Sequence, residues 1–392
     1  MSTKSQSDRK IVYIAALSAA NGLVYGFNAL YYCFLQIYLE MYHPPVTAGI
    51  LLSVGPLVAI IAPIFWGVQA DKAKYKNNIL SVTIIGSAIS FFLLMVNQNF
   101  WWLFGTLLFV MFFMSPFAGL IDTITLEYAT QNNIAYGPMR LTGTFVFGLI
   151  PMVLTAYTEV NINIIFYAYL VIAALCLIAV RLMPKVPGYA RDKIKVSIKP
   201  VLTDKKLMLM IGMVFMSQMA WGYYNNFFPT YITGTLGLPQ TVWGTNVFIT
   251  VLGEIPFFLM FNKIFTKFGI KKLLLTGASL SVLRYLGLAL STNAPLILTT
   301  GLITGFSITV LTYCASVYII ENIQPEVKAS AQTLMYAVAG GIPRVLAGFL
   351  GGVMTDIFGV KNTMFIMTAL CSTMFIMYLR YLKLDSIQNR GK

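Results

Sequence analysis

Apolar residues run along this chain in long blocks separated by short polar punctuation, and each block reaches the roughly 20 residues that a helix needs to cross a bilayer. Twelve such blocks fall at 11–39, 46–70, 79–97, 100–128, 139–157, 162–183, 207–233, 240–262, 272–291, 296–320, 329–354 and 361–382. The pattern predicts an all-α polytopic membrane protein with twelve transmembrane helices. Pro56 and Pro63 inside the second block predict a kinked helix there. The first block is too long for the core of a signal peptide and lacks a small-residue cleavage site, so it reads as a retained first helix.

Composition agrees with this reading: 58% of the residues are hydrophobic and only 10% are charged, values outside the range of a soluble domain. The mean hydropathy is +0.77. An even helix count puts both termini on one side. Of the 27 Lys and Arg, 24 fall in the tails and in alternate loops of that same side; Arg284 and Arg344 are intramembrane and Lys361 lies opposite. The asymmetry predicts cytoplasmic termini; the expected location is a bacterial plasma membrane. It also accounts for the net charge of +14 through contact with an anionic lipid bilayer, without nucleic acid as a partner. Cys33, Cys176, Cys314 and Cys371 are scattered within apolar blocks, and the one histidine, His43, falls in the first external loop. Neither a disulfide framework nor a metal site is expected.

The longest polar segment, PKVPGYARDKIKVSIKPVLTDKK, lies near the middle of the chain. It divides a six-helix half at 1–183 from a second at 207–392, with 184–206 as a basic linker. The loops GVQADKAKYKNNIL and NKIFTKFGIKKLLL occupy equivalent places in the two halves, and aligning Lys76 with Lys271 gives an offset of 195, close to half the chain. Parallel repeats of this kind are typical of transporters whose binding site lies between the halves.

At this point the chain resembles the major facilitator superfamily. The signature loop after the second helix survives in part as Gly67, Asp71, Lys72 and Lys76, whereas Lys74 and Tyr75 replace a glycine and a basic residue. The resemblance implies a gate role for this loop, with Asp71 the stronger candidate beside Lys72; the lysines alone also follow from the charge asymmetry. A closer resemblance joins SPFAGLIDTITLEYATQNNIAYGPMRLTGTFVFG to the phenylpropionate-permease and galactoside-permease group of proton symporters. Here Asp122 stands for the acid late in helix 4, and Gly137, Arg140 and Gly143 for the run that opens helix 5. Gly253-Glu254 and Arg284 are similar to the glycine-glutamate of helix 8 and the arginine of helix 9 in that group. The histidine and glutamate that the galactoside permease carries in helix 10 are absent; Phe306 and Thr309 stand there. By this resemblance any proton coupling runs through Glu254, with Arg284 as partner, or through Asp122.

The residues support such roles on physical grounds too. Charges inside a membrane are costly and usually mark pathways. Asp122 and Arg140 fall at similar depth on consecutive helices: a carboxylate accepts from solute hydroxyls and a guanidinium offers a planar donor fork. The pair is equally consistent with a structural ion pair. Desolvation favours the neutral form of an acid and a nearby cation the charged form, which suits Glu254 to proton coupling; a protonated Glu254 bonded within a packed interface is the alternative. Arg344 follows Gly340, Gly341 and Pro343, and either holds a carboxylate substrate or balances Glu254. Tyr25, Asn28 and Tyr32 share one face of helix 1, and Trp221, Tyr224, Asn225 and Asn226 cluster in helix 7, as candidate substrate contacts or interfacial aromatics. Glu127 reads as interfacial and Glu321 as a helix-end or gate residue.

The expected function is secondary transport by alternating access, with a monomer as the functional unit and no cofactor. The substrate is a small organic solute, either a sugar or an aromatic carboxylate, taken up with protons. A proton-driven exporter of hydrophobic compounds and a nucleoside symporter are the alternatives. No nucleotide-binding glycine loop with its lysine is present, so ATP hydrolysis is not expected, and no catalytic constellation points to an enzyme.

Overall fold

The computed structural model describes residues 3–188, 203–324, 331–332 and 334–390. Most of the predicted linker, 189–202, and the loop 325–330 therefore lie outside the described residues. The helices are α1 (Thr3–Glu40), α2 (Pro45–Lys72), α3 (Lys76–Leu93), α4 (Phe100–Met114), α5 (Phe117–Gln131), α6 (Tyr136–Thr158), α7 (Ile164–Leu182), α8 (Lys205–Gly234), α9 (Thr241–Leu290), α10 (Ala294–Asn322) and α11 (Ile342–Arg390), with a π-helix at Tyr336–Gly341 before α11.

Among the described residues, ten helical stretches are long and apolar enough to cross a membrane. The expected twelve do not all appear as separate helices. α4 and α5 follow each other through Ser115 and Pro116 as one span, and α9 and α11 each run through a break. Those breaks are Gly269 (φ 70°) and Gly359 (φ 75°), where the backbone enters a left-handed region that a side chain disfavours. Both glycines fall in the gaps that the hydropathy pattern left between blocks, at 263–271 and 355–360.

Local chemistry sets several helix starts. Asn99, Asp204 and Asn293 cap α4, α8 and α10 by accepting from Trp101, Leu207 and Leu296 backbone N–H groups at 3.0, 3.0 and 3.1 Å. Inside the spans no water is at hand for hydroxyls, so they return to the carbonyl one turn back: Thr125 to Ile121 at 2.7 Å, Thr155 to Pro151 at 2.8 Å and Ser281 to Gly277 at 2.8 Å. Outward faces carry apolar side chains, Ile61, Phe109 and Leu379 among them, as lipid-facing helices require.

The chain packs as two compact units, one of Met1–Tyr42 with Val54–Asp192 and one of His43–Ser53 with Lys193–Lys392. In the first, Tyr169 stacks on Phe91 at 4.1 Å and lies 4.6 Å from Phe27, while its hydroxyl meets Ser87 Oγ at 2.5 Å. In the second, Gly49 of α2 sits against Gly348 and Gly352 of α11, and Ser53 Oγ donates to Gly49 O at 2.7 Å and Val345 O at 3.0 Å. Backbones approach this closely only where side chains are missing.

Candidate functional site

In the first unit α5 and α6 are joined by a short turn in which Asn133 takes φ 51°. The turn folds the two helices back on each other and brings Asp122 to Arg140: Oδ1 and Nε lie 3.4 Å apart. Tyr136 donates to Asp122 Oδ1 at 2.9 Å, and Arg140 Nη1 lies 3.4 Å from Thr144 Oγ1. The guanidinium covers the Tyr25 ring at 4.0 Å and donates to its hydroxyl. α1 can present that ring because α6 has Gly143 there; an added Cβ would lie 2.5 Å from Tyr25 Cδ2. The Arg140 and Asp122 side chains keep 29% and 35% of their exposure, so the pair is accessible as well as held. Tyr25, Asn28 and Tyr32 all lie on a part-open stretch of α1, whereas the neighbouring Tyr31 is buried.

In the second unit Arg344 and Arg284 stand in different settings. Arg344 starts α11 directly after the π-helix, and its Nε and Nη2 donate to Gln218 Oε1 of α8 at 3.2 and 3.0 Å. Its guanidinium stands 4.6 Å over the part-open Trp221 ring. Gly222 permits this, since a Cβ there would meet Ala347 Cβ at 2.9 Å. Arg284 is 1% exposed. Aromatic faces stand against its guanidinium: Tyr224 at 4.4 Å and Tyr285 at 5.0 Å, with Nη1 donating to Tyr285 Oη at 3.1 Å. Tyr224 donates in turn to Asn246 Oδ1 at 3.2 Å. Tyr224 and Asn225 are thus buried, Asn226 and Glu254 half-buried.

The loops at the charged end differ from expectation in one respect. Lys76, a position the charge asymmetry alone also explains, is buried and bonded to Glu127 at 2.9 Å, with side-chain exposures of 8% and 19%. Glu127 thus has a structural partner in Lys76. Its repeat counterpart Lys271 meets Asp385 at 2.5 Å, and Asp385 also binds Lys206 at 2.5 Å. Asp71 lines a cavity of about 240 Å³ with Pro63, Gly67, Lys76 and Ser115. Lys72 and Glu321 are exposed, and His43 is half-exposed. Gln218, Tyr136, Lys206 and Asp385 were missed by sequence reasoning. Gln218 and Tyr136 carried a signal: each lies one turn before a singled-out residue of its own helix, Trp221 and Arg140.

The chain is similar to several transporters. It is 26% identical to the uncharacterized transporter YwbF of Bacillus subtilis over 79% of this chain and 77% of the relative. It is 24% identical to the maltose permease of Geobacillus stearothermophilus over 85% of each, and 24% identical to the putative nucleoside transporter YegT of Escherichia coli over 76% of this chain and 74% of the relative. The crystal structure of the nucleoside transporter NupG superposes with a TM-score of 0.82 at 16% identity, covering 95% of this chain and 99% of that one. These likenesses and the apolar helices make the chain an integral membrane transporter and not an enzyme. The MFS_1 like family profile matches residues 15–367, and the chain belongs to that family.

Proposed function

We propose that this chain is a proton-coupled uptake symporter for a small polyhydroxylated solute, a sugar or a nucleoside. It works by alternating access as a monomer in a bacterial plasma membrane with cytoplasmic termini. Its working halves are 1–183 and 207–392, joined by the linker 184–206. The observation that carries the reading is the accessible Asp122–Arg140 pair, braced by Tyr25 and Tyr136. Adjacent hydroxyls of a sugar or ribose can donate to the carboxylate and accept from the guanidinium together, so the solute exchanges one set of charge-assisted bonds for another. The likeness to a maltose permease and to nucleoside transporters supports the same chemistry. Glu254, half-buried in the second unit, is the proposed proton carrier.

One specific observation favours an aromatic carboxylate instead: Arg344 held over the Trp221 face by Gln218. A thermal-shift screen of purified protein against maltose, uridine and phenylpropionate separates the two. We expect stabilisation by maltose or uridine, lost in Arg140→Ala and kept in Arg344→Ala. Stabilisation by phenylpropionate alone, lost in Arg344→Ala and kept in Arg140→Ala, refutes the polyhydroxyl reading.

A further inference from the structure

The segment that leaves α7, Pro184-Lys-Val-Pro-Gly188, lies along the loop between α2 and α3 through a run of backbone and amide bonds. Lys76 N–H donates to Val186 O at 2.8 Å, and Gly188 N–H donates to Ala73 O at 3.2 Å. The buried Asn77 side chain uses both ends of its amide: Nδ2 donates to Pro184 O at 3.1 Å and Oδ1 accepts from Val186 N–H at 3.1 Å. Lys185 stands 5.4 Å over the Tyr75 ring.

Gly188 has a steric reason to be glycine. A Cβ there would lie 2.5 Å from the carbonyl oxygens of Ala70, Asp71 and Ala73. These carbonyls lie at the end of α2 and on the residue just past it, where the helix has run out of its own donors. Pro184 and Pro187 fix φ and remove N–H groups, so the segment is pre-set as an extended strip. Two of its three remaining N–H groups, those of Val186 and Gly188, are the ones engaged.

We infer that residues 184–188 are a strap that fastens the start of the linker to the turn carrying Asp71, with Asn77 as a positioning residue and Gly188 as the seat. Lys76 extends the fastening: its backbone holds Val186, and its side chain holds Glu127 of α5, the helix that carries Asp122. The strap and the Asp71 turn are thereby held together, and Lys76 ties them to α5, within the first unit.

Hydrogen exchange on the full chain in lipid nanodiscs tests the strap without a substrate. In Asn77→Ala the amides of Val186, Gly188 and residues 73–76 should exchange about tenfold faster, the effect of losing about 1.4 kcal/mol of hydrogen bonding. The rise should stay confined to the strap and loop, with α4, α6 and α7 at the parent rate. Gly188→Ala disturbs the same contact from the strap's side and should reproduce the pattern. Unchanged exchange at 73–76 in both variants overturns the proposal. So does a rise spread evenly over the unit, because that is what general destabilisation gives.

Discussion

Lys76 and Glu127 offer a double-mutant cycle whose outcome follows from burial. The ion pair is 2.9 Å long, and its two side chains keep 8% and 19% of their exposure. Removing one partner strands the other charge in a poorly solvated place, a loss of about 3–5 kcal/mol for buried pairs. Glu127 is somewhat open at 19%, so the lower end of that range applies to Lys76→Met, where Glu127 is left behind. The upper end applies to Glu127→Leu, which abandons the more buried lysine. Replacing both by apolar groups of similar volume removes attraction and desolvation together, and is expected to be neutral or stabilising. Denaturant unfolding of the purified single and double variants in one detergent gives the four corners of the cycle. The expected result is two destabilised single variants and a Lys76→Met/Glu127→Leu protein close to the parent, which is strong coupling. Additive losses, with the double variant weaker than either single one, refute a desolvated pair and return Lys76 to the role of a solvated surface lysine. The backbone bond from Lys76 to Val186 is untouched by these changes, so the cycle reads the ion pair separately from the strap.

Gly143→Ala places a Cβ 2.5 Å from Tyr25 Cδ2 and forces the ring away from Arg140. It should cost about 1–3 kcal/mol of stability as overpacking and weaken maltose or uridine binding in the thermal-shift screen in the same direction as Arg140→Ala. Glu254→Gln should abolish the alkalinisation that accompanies solute uptake into vesicles; full coupling in that variant removes Glu254 from the proton path.

Hydropathy was enough for the helices because a membrane helix satisfies its backbone bonds within its own segment, so its existence depends on local composition alone. The breaks at Gly269 and Gly359 were legible for the same reason: they interrupt apolar runs, and a left-handed φ is a local demand. Asp122 and Arg140 could be paired on paper because one short turn separates their helices. The tertiary structure decided pairings across long chain separations. Lys76 finds Glu127 51 positions away, Arg344 finds Gln218 126 away, and Asn77 grips Pro184 107 away. No periodicity carries that information, since helix faces meet only after packing sets their rotation and depth. Arg284 shows the limit most plainly: a charge in an apolar run announces that it needs a partner, but only packing determined that two tyrosine rings would stand against it.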